Sequence, residues 1–341
     1  MLYYLIMKKR LIYCIIYGLI LAGFTAYVFL SRFVIRRSYG EMTVYNSLTA
    51  QTETDAAGSD TAGIDASMGS DTSEGASLGE VPTEETTAEE TVPEETTVEE
   101  TTAEPIHTEV TLTSDRYLDT DIHLLYLTLA DIKDLRTCFA ENSYGLNIKE
   151  TVLTMSNRVN ALAAINGDFY GARDGGYVLR NGTLYRSTPA SSTQEDLVIW
   201  SDGTADVICE GEVSAEELAA GGAWQVFSFG PGLVIDGEIS VSENDEVAIH
   251  LVSNPRTAIG FYDPQHYVLL VSDGRTDENA GLTLYELATY MREELGVSLA
   301  YNLDGGGSST MVYEGSIINF PTTNGDYWER SVSDAIYIGY E

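Results

Sequence analysis

Thr283-Leu284-Tyr285-Glu286-Leu287-Ala288-Thr289-Tyr290-Met291-Arg292-Glu293-Glu294-Leu295-Gly296 stands between two apolar runs, 266–271 and 299–303, and its reading decides the fold. Thr283 and Glu286 are at capping-box spacing; Leu284, Leu287, Ala288, Met291 and Leu295 make one apolar stripe; Gly296 supplies the stop. The segment 283–295 is therefore expected to be a helix packed on a sheet, with Glu286 read as a cap partner ahead of any catalytic role. Strand, helix and strand in this order read as a βαβ unit, whose right-handed crossover sets the two strands parallel in one sheet. Both strands then end on the same edge, where such sheets bind ligands. The first runs out into Ser272-Asp273-Gly274-Arg275 and the second into Asp304-Gly305-Gly306-Gly307-Ser308.

Outward from this unit the pattern is mostly short strands: 122–130, 161–165, 197–200, 205–209, 257–261, 266–271 and 335–339 are rich in β-branched and aromatic residues, punctuated by Gly, Asn or Asp. One further helix is expected over 149–159. The fold class is α+β: a mixed β-sheet domain over 111–341 with few helices and one βαβ unit. That length suffices for its own core.

The residues before the domain read differently. Residues 11–30 carry no charge, and about 20 apolar residues cover the ~30 Å hydrocarbon core of a bilayer. We expect a cytoplasmic tail over 1–10, an uncleaved transmembrane signal anchor over 11–30 and a single-pass protein of the cell membrane. Lys8, Lys9 and Arg10 before the run and Arg32, Arg36 and Arg37 after it nearly balance, so flanking charge alone leaves the orientation open. Between Glu41 and Glu109 lie 18 acidic residues and no Lys or Arg, with a decade repeat such as Glu84-Glu85-Thr86-Thr87-Ala88-Glu89-Glu90-Thr91-Val92-Pro93. Such a segment cannot bury enough apolar area to offset its ordering entropy, so 31–110 is expected to be a disordered, Thr-rich acidic stalk.

Of the formal charge of −35, residues 1–40 hold +6, residues 41–109 hold −18 and the remainder −23. An acidic domain without clustered Lys and Arg excludes sequence-independent nucleic-acid binding. The His at 107, 123, 250 and 266 show no zinc spacing, and Ser308 lacks a nucleophile-elbow sequence. No cofactor is required by these residues, although clustered Asp, Asn and carbonyls are compatible with a structural Ca²⁺. Cys14 lies in the apolar run, and whether Cys138 and Cys209 pair is left open by spacing alone.

Four clusters invite chemistry. Three glycines after Asp304 let the backbone bring unhindered amides to an anion, although a plain tight turn uses the same residues. Asn166-Gly167-Asp168-Phe169-Tyr170 follows an apolar strand, Asn254-Pro255-Arg256-Thr257-Ala258-Ile259-Gly260 opens one, and Asp273-Gly274-Arg275 ends one. Taken in order with Glu286-Leu287-Ala288, Asn302-Leu303-Asp304-Gly305-Gly306-Gly307-Ser308, Asn319-Phe320-Pro321 and Arg330-Ser331-Val332-Ser333-Asp334-Ala335-Ile336, these motifs resemble the phosphodiester glycosidase family over roughly 112–340.

The resemblance implies an extracytoplasmic hydrolase that cleaves a sugar-1-phosphodiester of the GlcNAc-1-phosphate type at the anomeric carbon, in envelope or exopolysaccharide metabolism. The residue types suit that chemistry. Arg256 and Arg275 offer guanidinium forks for phosphate oxygens, with Gly305, Gly306, Gly307 and Ser308 as further donors. An oxocarbenium-like transition state needs a carboxylate near C1, for which Asp304 is the first candidate, Asp273 the second and Asp168 the third. Asn166 and Asn302 would bind sugar hydroxyls or orient those carboxylates. The competing expectation is a cell-surface glycan-binding domain without turnover.

Overall fold

The computed structural model describes residues 2–41, 107–245, 253–323 and 325–339. The acidic repeat and nearly all of the expected stalk lie outside the described residues. Helix Leu2–Phe33 takes in the uncharged run 11–30. Among the described residues no helix is long and apolar enough to cross a membrane, so the span expected there gains no support from the structure.

One stalk assignment is corrected. Arg37–Glu41 is a strand that pairs antiparallel with Ser143–Leu146. The contact has side-chain causes: Arg36 forms an ion pair with Glu141, and the Tyr39 and Tyr144 rings lie 5.9 Å apart. A segment read from its composition as spacer therefore contributes backbone to the domain.

A seven-stranded sheet organises the domain, in the order Glu238–Ile239, Gly232–Ile235, Leu299–Asn302, Arg256–Asp263, His266–Ser272, Thr120–Thr128, Glu109–Tyr117. His266–Ser272 and Leu299–Asn302 are parallel to each other, as expected of the crossover. They are not neighbours, because Arg256–Asp263 lies between them and pairs antiparallel with both. Every ladder of this sheet is antiparallel, which corrects the mixed sheet expected from the sequence. The tight reversal between Asp263 and His266 is what inserts the extra strand. The functional consequence of the crossover survives, since both parallel strands still end on one edge.

The helix is Leu284–Thr289, continued by a π-turn over Tyr290–Glu294, and its N-terminus has the capping box read from Thr283 and Glu286. Alternation along His266–Ser272 divides the core. Val268 and Leu270 pack under Leu284, Leu287 and Met291 of this helix, whereas Leu269 and Val271 face a second layer with Ile165, Ile336 and Met311. That layer is a five-stranded antiparallel sheet, Ser316–Ile317, Met311–Tyr313, Ala161–Asn166, Asp334–Gly339 and Leu135–Phe139, backed by helix Val152–Arg158. A third sheet, Ala205–Cys209, Glu195–Trp200, Ala223–Phe227, Val178–Arg180 and Thr183–Arg186, closes the side. Cys138 and Cys209 are free thiols, and burial pushes that of Cys138 up to about 12.

Arg180 joins the last two sheets. Its side chain is fully buried; Nη2 lies 2.8 Å from Asp168 Oδ2 and 2.9 Å from Asp334 Oδ2, and the guanidinium sits 4.3 Å from the Phe227 ring centroid. Burial pushes the Asp334 carboxyl above the usual carboxylate range in spite of Arg180, with the Asp168 charge adding to the rise. Gly167 is required at this junction, because a Cβ there would meet the Asp334 carboxylate at 2.5 Å.

Asp196 is a different case: it is fully buried, and burial followed by the nearby Glu210 charge pushes its carboxyl up to about 9. A carboxyl raised in the folded state contributes its full stability below the unfolded value of about 3.9 and loses it as pH climbs towards 9. Asp196→Asn is accordingly expected to stabilise the protein by at least about 2 kcal/mol near pH 8.5 and by much less near pH 5. Urea unfolding at the two pH values checks this, and an equal effect at both refutes it.

Candidate functional site

At the end of strand Leu299–Asn302 the chain passes through Leu303 and Asp304 into a short 3-10 turn, Gly306–Ser308. Gly306 has φ +61°, and a Cβ on it would approach the Arg275 guanidinium to 2.9 Å, so both the backbone conformation and the neighbour demand glycine. The three-amide cradle expected from the sequence is only partly available. The Gly306 N–H is taken by the Pro255 carbonyl at 2.7 Å, and that bond docks the glycine loop onto the entry of strand Arg256–Asp263.

Asp304 is buried, and its surroundings are built in sequence. The Ser308 hydroxyl donates to Asp304 Oδ2 at 2.5 Å, and Arg330 Nε donates to that same hydroxyl at 2.9 Å. Arg330 Nη2 also stands 3.5 Å from the carboxylate and donates to the Gly305 carbonyl at 3.2 Å. Burial pushes the Asp304 carboxyl above its ordinary value, against the opposing pull of Arg330, Ser308 and Arg173. A carboxylate poised in this way suits proton transfer nearer neutral pH than a solvated Asp.

A cavity of about 190 Å³ opens beside it, lined by Phe229, Asn254, Arg256, Arg275, Asn302, Leu303, Asp304, Gly305, Gly306 and Arg330. Three arginines thus converge on one small space in a domain of strongly acidic charge. Arg256 is buried and anchored by Nε to the Leu282 carbonyl at 2.7 Å. Arg275 has φ +63° and is held by Asn254 Oδ1, which accepts from Nε at 3.0 Å and from Nη2 at 2.7 Å. Burial, then the charges of Arg330 and Arg256, lower the Arg275 guanidinium. Mutual repulsion of this kind is relieved by a bound anion. Asn302 donates to the Gly230 carbonyl at 2.8 Å, whereas its buried Oδ1 has no hydrogen-bond partner among the described residues and is suited to accept from a substrate hydroxyl or amide.

The remaining candidates are separated by the fold. Asp273 Oδ1 accepts from the Phe320 N–H at 2.7 Å, and its Oδ2 lies 3.4 Å from His123 Nε2. It lines a larger neighbouring cavity and shares with the Asp304 site only Arg275. Asp168 is not separated in this way: with Asp304, Ser308 and Arg330 it lines a cavity of about 170 Å³, but its oxygens are engaged by Arg180, Tyr170 N–H and Ser228 N–H. That engagement suits a framework role. Asn166 also works through the frame: Nδ2 donates to the Asp304 carbonyl at 2.6 Å, and Oδ1 accepts from the Thr257 hydroxyl and the Thr310 N–H.

Arg330 is absent from the candidates read from sequence. Its signals there are weak: membership of the closing motif, and scarcity, since residues 110–341 hold only 12 Lys and Arg. Among the described residues no group of three or more His, Cys, Asp or Glu side chains is placed to hold a metal ion; the expected Ca²⁺ would also draw on Asn and carbonyl oxygens.

Residues 159–339 match the model of the phosphodiester glycosidase family, and the chain belongs to that family. Among curated proteins it is 35% identical over 203 residues to the SPbeta prophage-derived uncharacterized protein YomE of Bacillus subtilis, covering 58% of this chain and 31% of that protein. It is 30% identical over 176 residues to N-acetylglucosamine-1-phosphodiester alpha-N-acetylglucosaminidase of Mus musculus, covering 47% of this chain and 33% of that one. The chain thus spans about a third of the length of these relatives. Among solved structures it resembles the zebrafish N-acetylglucosamine-1-phosphodiester alpha-N-acetylglucosaminidase catalytic domain auto-inhibited by pro-peptide. The TM-score is 0.53 at 19% identity, with 71% of this chain and 85% of that one covered, a likeness of fold.

Proposed function

We propose that this protein hydrolyses sugar-1-phosphodiesters of the GlcNAc-1-phosphate type at the anomeric carbon. The observation that carries the reading is the convergence of Arg256, Arg275 and Arg330 with the buried Asp304 on one cavity. Three guanidiniums suit the single negative charge of a phosphodiester and the second charge that develops as a phosphomonoester leaves. Asp304, aligned by Ser308 and Arg330, is the group at C1, where it accepts the proton of an attacking water while the C1–O bond to phosphate breaks. The orphan Asn302 Oδ1 holds the sugar. The names of the mouse and zebrafish relatives support the substrate class.

The wider setting belongs to the same proposal. The uncharged run 11–30 supports a single-pass anchor, and the acidic Thr-rich segment behind it supports an extracytoplasmic domain acting on envelope or extracellular polysaccharide.

The direct test is release of free GlcNAc from a methyl GlcNAc-1-phosphodiester by the full chain. Binding without release identifies a glycan-binding domain and sinks the hydrolase reading. Arg330→Met removes a donor to both Ser308 and the departing phosphate, and kcat/KM is expected to fall about 10²-fold or more. A change under threefold in steady-state kinetics overturns the role given to Arg330.

A further inference from the structure

Residues 34–36 alone separate the end of helix Leu2–Phe33 from strand Arg37–Glu41, no more than about 14 Å of extended chain. That strand is seated by more than its ladder with Ser143–Leu146. The Asn147 side chain donates to the Ile35 carbonyl at 3.0 Å, Arg36 pairs with Glu141, and the Ser38 and Ser143 hydroxyls share a hydrogen bond. Gly145 is what admits the strand: a Cβ there would strike the Arg37 carbonyl, and the three nearest heavy atoms all belong to Arg37 and Ser38.

Both ends of the acidic segment are therefore held by the domain. It leaves from Glu41 and returns at Glu109, where strand Glu109–Tyr117 forms an edge of the seven-stranded sheet. While the strand is seated, residues 34–36 set the distance from helix to domain and the acidic segment does not.

The seat also leads to the Asp304 site. The Tyr39 and Tyr144 rings lie 5.9 Å apart, and Tyr144 stacks on Tyr170 at 5.5 Å and 17°. Phe169, next to Tyr170 in the chain, lines the cavity of about 170 Å³ that it shares with Asp304, Ser308 and Arg330. Two ring contacts thus lead from the docked strand to the loop that walls the site. Shortly before Arg330 in the chain, Tyr327 and Trp328 are exposed, residues of the kind that settle at a lipid–water interface.

We infer that the strand clasps the domain at the end of the helix, so that the preferred substrate is a sugar-1-phosphodiester whose second alcohol is a lipid of the membrane that holds the helix. This rests on the hydrolase and anchor readings above and names the aglycone. An anchored site and an anchored substrate meet at an effective concentration that falls as the linkage between them lengthens.

The full chain in phosphatidylcholine vesicles gives the test, with hexadecyl and methyl GlcNAc-1-phosphodiesters as substrates. The hexadecyl diester is expected to show a kcat/KM at least about tenfold higher. Gly145→Val, whose new side chain meets the seated strand first, is expected to lower that ratio at least about threefold while turnover of the methyl diester stays within about twofold. The clasp itself is read without activity. Oxidation of a Ser38→Cys/Ser143→Cys variant should link strand and domain, so that the N-terminal piece still migrates with the domain in a non-reducing gel after a glutamate-specific protease has cut the acidic segment. Adding Gly145→Val should abolish the link. Absence of the link, a hexadecyl-to-methyl ratio near one, or a ratio unmoved by Gly145→Val each overturn the inference. The two readings fail separately. Turnover of both diesters at equal efficiency leaves the hydrolase and removes the lipid aglycone; a link without release from either diester removes the hydrolase, and the lipid substrate with it, and leaves only the clasp.

Discussion

Asp304→Asn is expected to lower kcat on a sugar-1-phosphodiester by at least about 10³-fold while leaving KM within a few-fold, because the carboxylate acts on the reacting carbon and the arginines still hold the phosphate. Asn keeps the shape and accepts the Ser308 hydrogen bond, so the folded site persists and the loss reports chemistry. The pH profile gives the second readout. Burial raises the Asp304 carboxyl, so the acid limb of kcat/KM in the native protein lies above the range of an ordinary Asp, with activity falling as pH drops and the base is protonated. Residual activity in the variant should lack that limb. A variant within tenfold of the native rate, or one retaining the limb, removes Asp304 from the reaction.

Arg180→Met is expected to have the largest effect on stability, about 3–5 kcal/mol, because it strands Asp168 and Asp334 in a fully buried junction. The pH dependence identifies the cause. With the cation gone, the Asp334 carboxyl, already raised by burial, loses the pull that opposed the rise, and a raised carboxyl loses stability as pH climbs above its unfolded value. The variant should be more stable near pH 5 than near pH 7.5 in urea unfolding. Adding Asp168→Asn and Asp334→Asn should recover much of the loss and flatten the pH response. A variant with no pH dependence and no recovery would show that Arg180 acts through packing on Phe227 alone. Activity should fall with stability, since this junction holds loop 166–170, from which Asn166 grips the Asp304 carbonyl.

The helix was legible because its signals are local: Thr283, Glu286 and the Leu284-Leu287-Met291 stripe all act within one short segment. The sheet edge that carries the site was legible for a related reason, since a crossover connection fixes relative strand direction whichever strand lies between. Neither argument could place Arg256–Asp263 between the two parallel strands, because that depends on a hairpin pairing as strong as the crossover and independent of it. The pairing of Arg37–Glu41 was hidden by its setting, five residues beside a long acidic segment whose composition dominates any window.

By itself the sequence determined the helix caps, most strands, the family motifs and the candidacy of Asp304, Arg256 and Arg275, all set by residues within a few positions of one another. Only the tertiary structure decided which of these meet. Asp304 and Arg330 lie 26 residues apart and are joined through Ser308, Asp168 and Arg180 are joined across two sheets, and Asp273 turns into a separate cavity. The physical reason is that burial and charge pairing are properties of a packed neighbourhood. Three strand-end turns, each with an aspartate beside a glycine, look alike along the chain, and they differ only once the solvent is gone and an arginine has a carboxylate to claim.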